Sequence, residues 1–182
     1  MKTISILAVL LTLSFNANAA LLQDKDITYS YQVSYTGTGT FTELEGGRYR
    51  VGNDVEITNS GALSGATIDF SDTNILLTFS GNGLVRPDRD FSGFVISDAY
   101  DGIDKFLDVT INAATNVTGF SLSMITVLTD SITVDLRGFT FTDGSILSLD
   151  INPPSAVPIP AALFMFAPAL LGFLGFRRKM QA

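Results

Sequence analysis

The run from Val157 through Phe176, twenty residues without a charge, limits this chain more than any other stretch. Wound as a helix at about 1.5 Å per residue, it reaches roughly 30 Å, the thickness of a hydrocarbon core. Arg177, Arg178 and Lys179 follow at once, and the positive-inside rule assigns that end to the cytoplasm. Pro168 inside the run fits a membrane helix, where neighbouring groups satisfy the freed backbone. The stretch is therefore withdrawn from any water-soluble core, and the folded part has to be made from the residues before it.

The run opens on Val157-Pro158-Ile159-Pro160, so a proline-containing tetrapeptide, an apolar helix and a basic cluster stand in that order at the C-terminal end. This arrangement resembles the PEP-CTERM sorting signal in its VPLPA-type variant, with Ile159 where the commonest form carries Glu. The resemblance implies export by a Gram-negative bacterium and transient residence in the inner membrane. It also implies a processing partner, a membrane protease of the exosortase type, and delivery to the cell surface or extracellular matrix. An ordinary C-terminal anchor is the competing reading of the same residues.

Residues 1–19 read as a signal peptide: Lys2 is the basic region, Ile4–Leu13 the apolar core, and Ala17-Asn18-Ala19 the small-x-small cleavage pattern. Cleavage is expected after Ala19, with Ala20 as the second choice. The alternative, an uncleaved anchor, is opposed by an apolar run too short to span. With both ends assigned, the sequence divides into the signal peptide, a body over 20–151, a Pro-rich linker over 152–156 and the sorting segment over 157–182. The body is expected across the inner membrane.

The body alternates large and small polar residues, most clearly in Ile27-Thr28-Tyr29-Ser30-Tyr31-Gln32-Val33-Ser34-Tyr35, the period of a half-buried strand. Similar stretches are Thr40–Leu44, Arg48–Val51, Asp54–Thr58, Ala66–Phe70, Ile75–Phe79 and Phe91–Ser97. Phe106–Ile111, Val117–Leu128, Ser131–Leu136, Phe139–Thr142 and Ser145–Ile151 follow. Turn residues punctuate them at Thr36–Gly39, Gly46-Gly47, Gly52-Asn53, Asn59–Gly61, Gly81–Gly83 and Asp143-Gly144, the last being a strong hairpin signal. Short strands so divided predict an all-β antiparallel body, a sandwich of jelly-roll kind, with helices confined to the signal peptide and the transmembrane segment. Pro153 and Pro154 require the last strand to stop near Ile151. From Val51 to Ile151 the body is also similar to a β-rich domain found in many short proteins with this kind of tail. Val51–Glu56, Ile68–Asp72, Phe91–Val95 and Gly144–Asp150 carry that impression, which implies no activity.

The chain has no Cys, so no disulfide braces it. All 18 acids but only seven of the 11 bases lie in the body, which therefore carries a formal charge of −11. Such a domain repels nucleic acid and favours cations or basic partners. The absence of both His and Cys removes the Ser-His-Asp and Cys-His arrangements and the usual zinc ligand sets.

A carboxylate pair remains as an enzymatic option, from among Glu43, Glu45, Asp54, Glu56, Asp69 and Asp72. Glu43/Glu45 and Asp54/Glu56 are each two apart on expected strands, so each pair is expected to share one solvent face. Asp98, Asp101 and Asp104, at i, i+3 and i+6 around Gly102, supply oxygens of the kind a Ca²⁺ site needs, the one cofactor suggested; an acidic solubilising loop is the competing reading. Asp88 and Asp90 are expected to pair with Arg86 and Arg89. Phe91, Phe94, Phe106, Phe120, Phe139 and Phe141 are expected in the core. Tyr29, Tyr31 and Tyr35 fall on one strand face, either packed at the edge of the core or exposed as a sugar-stacking surface. Two functions follow. The first is a non-enzymatic cell-surface or matrix protein; the second is a calcium-assisted or carbohydrate-binding adhesive module, with extracellular polysaccharide as partner.

Overall fold

A computed structural model describes residues 21–152. The signal peptide, the linker beyond Asn152 and the whole sorting segment lie outside the described residues. Within them the expectation of an all-β, antiparallel body is met. The strands are β1 (Asp26–Tyr35), β2 (Phe41–Arg50), β3 (Ile57–Ser60), β4 (Ala66–Ser71), β5 (Asn74–Thr78) and β6 (Gly83–Leu84). After them come β7 (Arg89–Asp98), β8 (Val109–Ile111), β9 (Ile125–Val127), β10 (Ser131–Asp135), β11 (Thr140–Phe141) and β12 (Ile146–Ile151). The only described helix is a single 3-10 turn at Leu122–Met124, and no described helix is long and apolar enough to cross a membrane.

One sheet has the order β2-β1-β7-β10-β9 and a second β3-β4-β5-β12-β8, with a two-stranded ribbon of β11 and β6 beside them. Every pairing is antiparallel. The period of two decides the inner face: Ile27, Tyr29, Tyr31 and Val33 of β1 are buried on one side. They meet Ile68 and Phe70 of β4 and Leu147 and Leu149 of β12 in one hydrophobic cluster. The Tyr29 and Phe70 rings, from different sheets, lie 6.3 Å apart, so the two sheets share a core. The ribbon closes one end, where Phe141 stacks on Phe79 at 4.3 Å.

Both ends of the described chain are fastened to one turn. Leu22 is wholly buried, and its N–H donates to the Asp72 carbonyl at 2.8 Å. Ile151 N–H donates to the neighbouring Thr73 carbonyl at 2.7 Å. Asn152, in the left-handed region at φ 44°, accepts from the N–H groups of Leu107 and Asp108 and donates to the Lys105 carbonyl.

Several local expectations are corrected. Gly46-Gly47 is not a turn but runs inside β2, which is a single strand of ten residues. Asp54–Glu56, Phe106–Asp108 and Val117–Ser121 are not strands. Asp143-Gly144 does turn the chain, with Gly144 at φ 77°, but forms no hairpin. It links β11, whose partner is β6, to β12, whose partners are β5 and β8.

Candidate functional site

The fold separates Glu43 from Glu45. The register of β1 against β2 passes from Tyr31↔Glu45 to Gln32↔Glu43, which makes Leu44 an extra residue in a β-bulge. Glu43 therefore shares a face with Gln32, and Glu45 shares the opposite face with buried Tyr31. Glu43 accepts from Ser30 Oγ at 2.6 Å, whereas Glu45 accepts from Ser60 Oγ and Ala62 N–H at the facing sheet. Glu56 lies in the β2–β3 connection and caps two backbone groups, Gly52 N–H at 3.0 Å and Phe70 N–H at 2.8 Å. These glutamates hold loops and strands together rather than facing each other across a cleft.

Asp98, Asp101 and Asp104 are not drawn into a three-carboxylate cluster; no group of three or more acidic side chains placed to hold a metal ion occurs among the described residues. Asp98 accepts from Tyr100 N–H at 3.1 Å and from Ile103 N–H at 2.8 Å, one with each oxygen. Burial pushes its carboxyl up, but the backbone N–H groups of Ile103, Tyr100 and Gly102 outweigh this and hold it below the ordinary value. Asp101 sits at φ 55°, in the turn that Asp98 organises. The loop is also tied across to β2, where the Arg48 guanidinium lies over the Tyr100 ring at 4.4 Å.

The tyrosine row is divided by depth. Tyr29 and Tyr31 belong to the core, while Tyr35, at the end of β1, is 47% exposed. Burial, reinforced by Glu45, pushes the Tyr29 phenol well above its usual range against a lowering by the nearby Ser60 hydroxyl. That hydroxyl donates to Glu45 and accepts from Leu63 N–H, and the Tyr29 hydroxyl reaches no hydrogen-bond partner among the described residues. Tyr31 is also raised, chiefly by burial, against a hydrogen bond to Ser92 Oγ at 3.0 Å that lowers it. Of the six phenylalanines expected inside, Phe94, Phe106, Phe139 and Phe141 are buried. Phe120 packs against the core from outside, and Phe91 is half-buried beneath exposed Phe41 at 5.6 Å.

At the end of the molecule where β1 stops and β7 begins, the Arg86–Asp90 segment meets the β1–β2 loop. Arg86 holds Asp88 through Nε to Oδ1 at 3.1 Å and Nη2 to Oδ2 at 3.2 Å, and this hydrogen-bonded pairing keeps the Asp88 carboxyl low. Asp90 does not pair with Arg89 as its position suggested. It accepts from Gly37 N–H at 3.0 Å, while Thr36 Oγ1 donates to the Asp88 carbonyl at 2.9 Å. Arg89 is left with its guanidinium stacked 3.8 Å over the Tyr35 ring and its Nη1 buried without a partner. Beside it opens a pocket of about 170 Å³ between β1, β7 and the β6 segment, with Tyr31, Val33, Leu84, Ser92 and Phe141 in its walls. Sequence reasoning missed this site, because two arginines, Arg86 and Arg89, stand beside two acids, Asp88 and Asp90, and only the fold turns Asp90 away to Gly37.

No family model, curated protein or solved structure matches this chain. The sorting residues Val157, Pro158, Ile159, Pro160, Arg177, Arg178 and Lys179 lie outside the described residues, as do Ala17, Ala19 and Ala20 at the signal cleavage.

Proposed function

We propose that the chain is an exported, non-enzymatic protein of the cell surface or extracellular matrix, whose β-body has the sandwich or jelly-roll form. On this reading a signal-peptide helix leads it across the inner membrane. A C-terminal transmembrane helix then holds the precursor there until an exosortase-type protease acts near Val157–Ala161. The single observation that carries the proposal is the order of Pro158-Ile159-Pro160, the uncharged run to Phe176 and Arg177-Arg178-Lys179. Moving three such cations through hydrocarbon costs roughly 2.5–3.5 kcal/mol each on insertion scales, which fixes the helix orientation. The two prolines keep the segment at the outer face extended or turned, so its peptide groups stay open to a protease.

The calcium-assisted alternative gains no support from a loop in which both Asp98 oxygens already accept backbone N–H groups. Fractionation of the native host separates sorting from plain anchoring. Replacing Pro158 and Pro160 with Ala should extend the helix and leave precursor in the inner membrane, and mass spectrometry of the wild type should find new ends next to Ala19 or Ala20 and near Pro160. A double-proline variant exported like wild type would defeat the sorting reading.

A further inference from the structure

We propose that the pocket beside Arg89 binds a carboxylate carried on a compact, hydroxyl-bearing ligand, an acidic sugar residue being the class that fits. Among the described residues the fold leaves one buried cationic nitrogen unanswered. Buried polar atoms almost always have a partner, and a guanidinium offers five donors in a rigid fork. Arg86 and Arg137 satisfy theirs with an acid two residues away, Asp88 and Asp135. Arg89 donates to no described side chain, because its neighbour Asp90 is committed to Gly37. Stacking on Tyr35 holds the guanidinium plane in place, so a partner meets a preset fork rather than a mobile chain.

The other walls narrow the ligand. Tyr31 Oη and Ser92 Oγ share one hydrogen bond, which uses one of their two hydroxyl protons and leaves the other free to donate. Val33, Leu84 and Phe141 add an apolar side. A pocket of 170 Å³ is below the roughly 300–1,000 Å³ of drug-sized sites, so it takes one ring-sized group. Nη1 is enclosed, so the Nε–Nη2 edge of the guanidinium is the one that matches a carboxylate in bidentate geometry. The body's formal charge of −11 disfavours multiply charged phosphates and acidic peptides more than a single carboxylate. Arg89 itself is registered opposite Tyr35, the last residue of β1, nine residues or roughly 30 Å at about 3.3 Å each from Asp26 at the strand's start.

The test uses the full-length chain in detergent and isothermal titration calorimetry with glucuronate, glucose, acetate and a short glutamate-rich peptide. Glucuronate should saturate one site, with glucose and acetate each weaker by about tenfold or more. Arg89→Gln should lower glucuronate affinity at least about tenfold, while Arg50→Gln, which removes a cation at the opposite end, leaves it unchanged. Should Arg89→Gln reduce thermal stability, Tyr31→Phe supplies the second reading: it keeps the ring and should weaken glucuronate several-fold without affecting acetate. Absence of saturable glucuronate binding, equal binding by Arg89→Gln with its melting unchanged, or no effect of Tyr31→Phe overturns the proposal. Tighter binding of the peptide overturns the ligand class.

Discussion

Gly93 shows how much a single residue can settle. It stands inside β7 opposite Asp135, and a Cβ there would overlap the Val134 carbonyl oxygen, a backbone atom that cannot step aside. Gly102 in the Asp98 loop has open space around it and no left-handed φ. Gly93→Ala should therefore cost at least about 2 kcal/mol by overpacking, and Gly102→Ala close to nothing, as read by urea unfolding. Both are glycines in the sequence, and only one is a turn signal; the constraint on Gly93 comes from a strand about 40 residues away along the chain. Tyr29 gives a pH-dependent counterpart. Its folded pKa is raised, so its contribution is complete below its unfolded value and is lost as pH rises through the folded one. Stability should fall above about pH 10, the ordinary tyrosine value. Tyr29→Phe should cost less than about 1 kcal/mol at neutral pH, since the hydroxyl is unpartnered, and should lessen the alkaline loss when melting temperature is followed against pH.

Among the elements, those with clean alternation were legible: β1, β4, β5, β7, β10 and β12 lie within about two residues of where period-two reasoning puts them. The failures have physical causes. Val117–Ser121 has strand-like composition but is bypassed: Thr115 and Asn116 bond to β12 just before it, with Asn116 Oδ1 accepting from Ile146 N–H at 2.7 Å. Gly46-Gly47 looks like a break, yet β1 supplies partners on one side that carry the strand through, Ser30 opposite Gly46 and Tyr29 opposite Gly47. The bulge at Leu44 left no mark in the sequence, which is why Glu43 and Glu45 were expected on one face. Deleting Leu44 should restore an uninterrupted register, whereas deleting Gly46 should turn the flanking residues to the wrong face. By chemical denaturation the first should cost less than about 2 kcal/mol and the second distinctly more.

For the molecule as a whole, strand membership in two sheets and a ribbon was not legible, because every crossing between them is a long-range choice. β1 pairs with β7, about 60 residues on, and Asp143-Gly144 serves as a corner between sheets. The candidate pocket was hidden for the same reason: β1, β6 and β7 come together there only once the chain has folded. The chain ends add one more long-range contact. Leu22→Ala should cost about 2–5 kcal/mol in the folded body, the range for a fully buried leucine, measured by denaturant titration of the full chain. That places a core residue only a few positions beyond the expected Ala19 cleavage.

Leu22 and Ile151 donate to consecutive carbonyls, which sets their backbones on the order of 10 Å apart. In outline the body is a ring with one narrow gap. A short Gly-Ser bridge spans such a gap, and new ends can then be opened at the exposed Gly37–Gly39 loop without parting any strand from its neighbour. A circularly permuted body would keep its core but carry its ends beside Arg89, at the opposite end of β1 from Asp26.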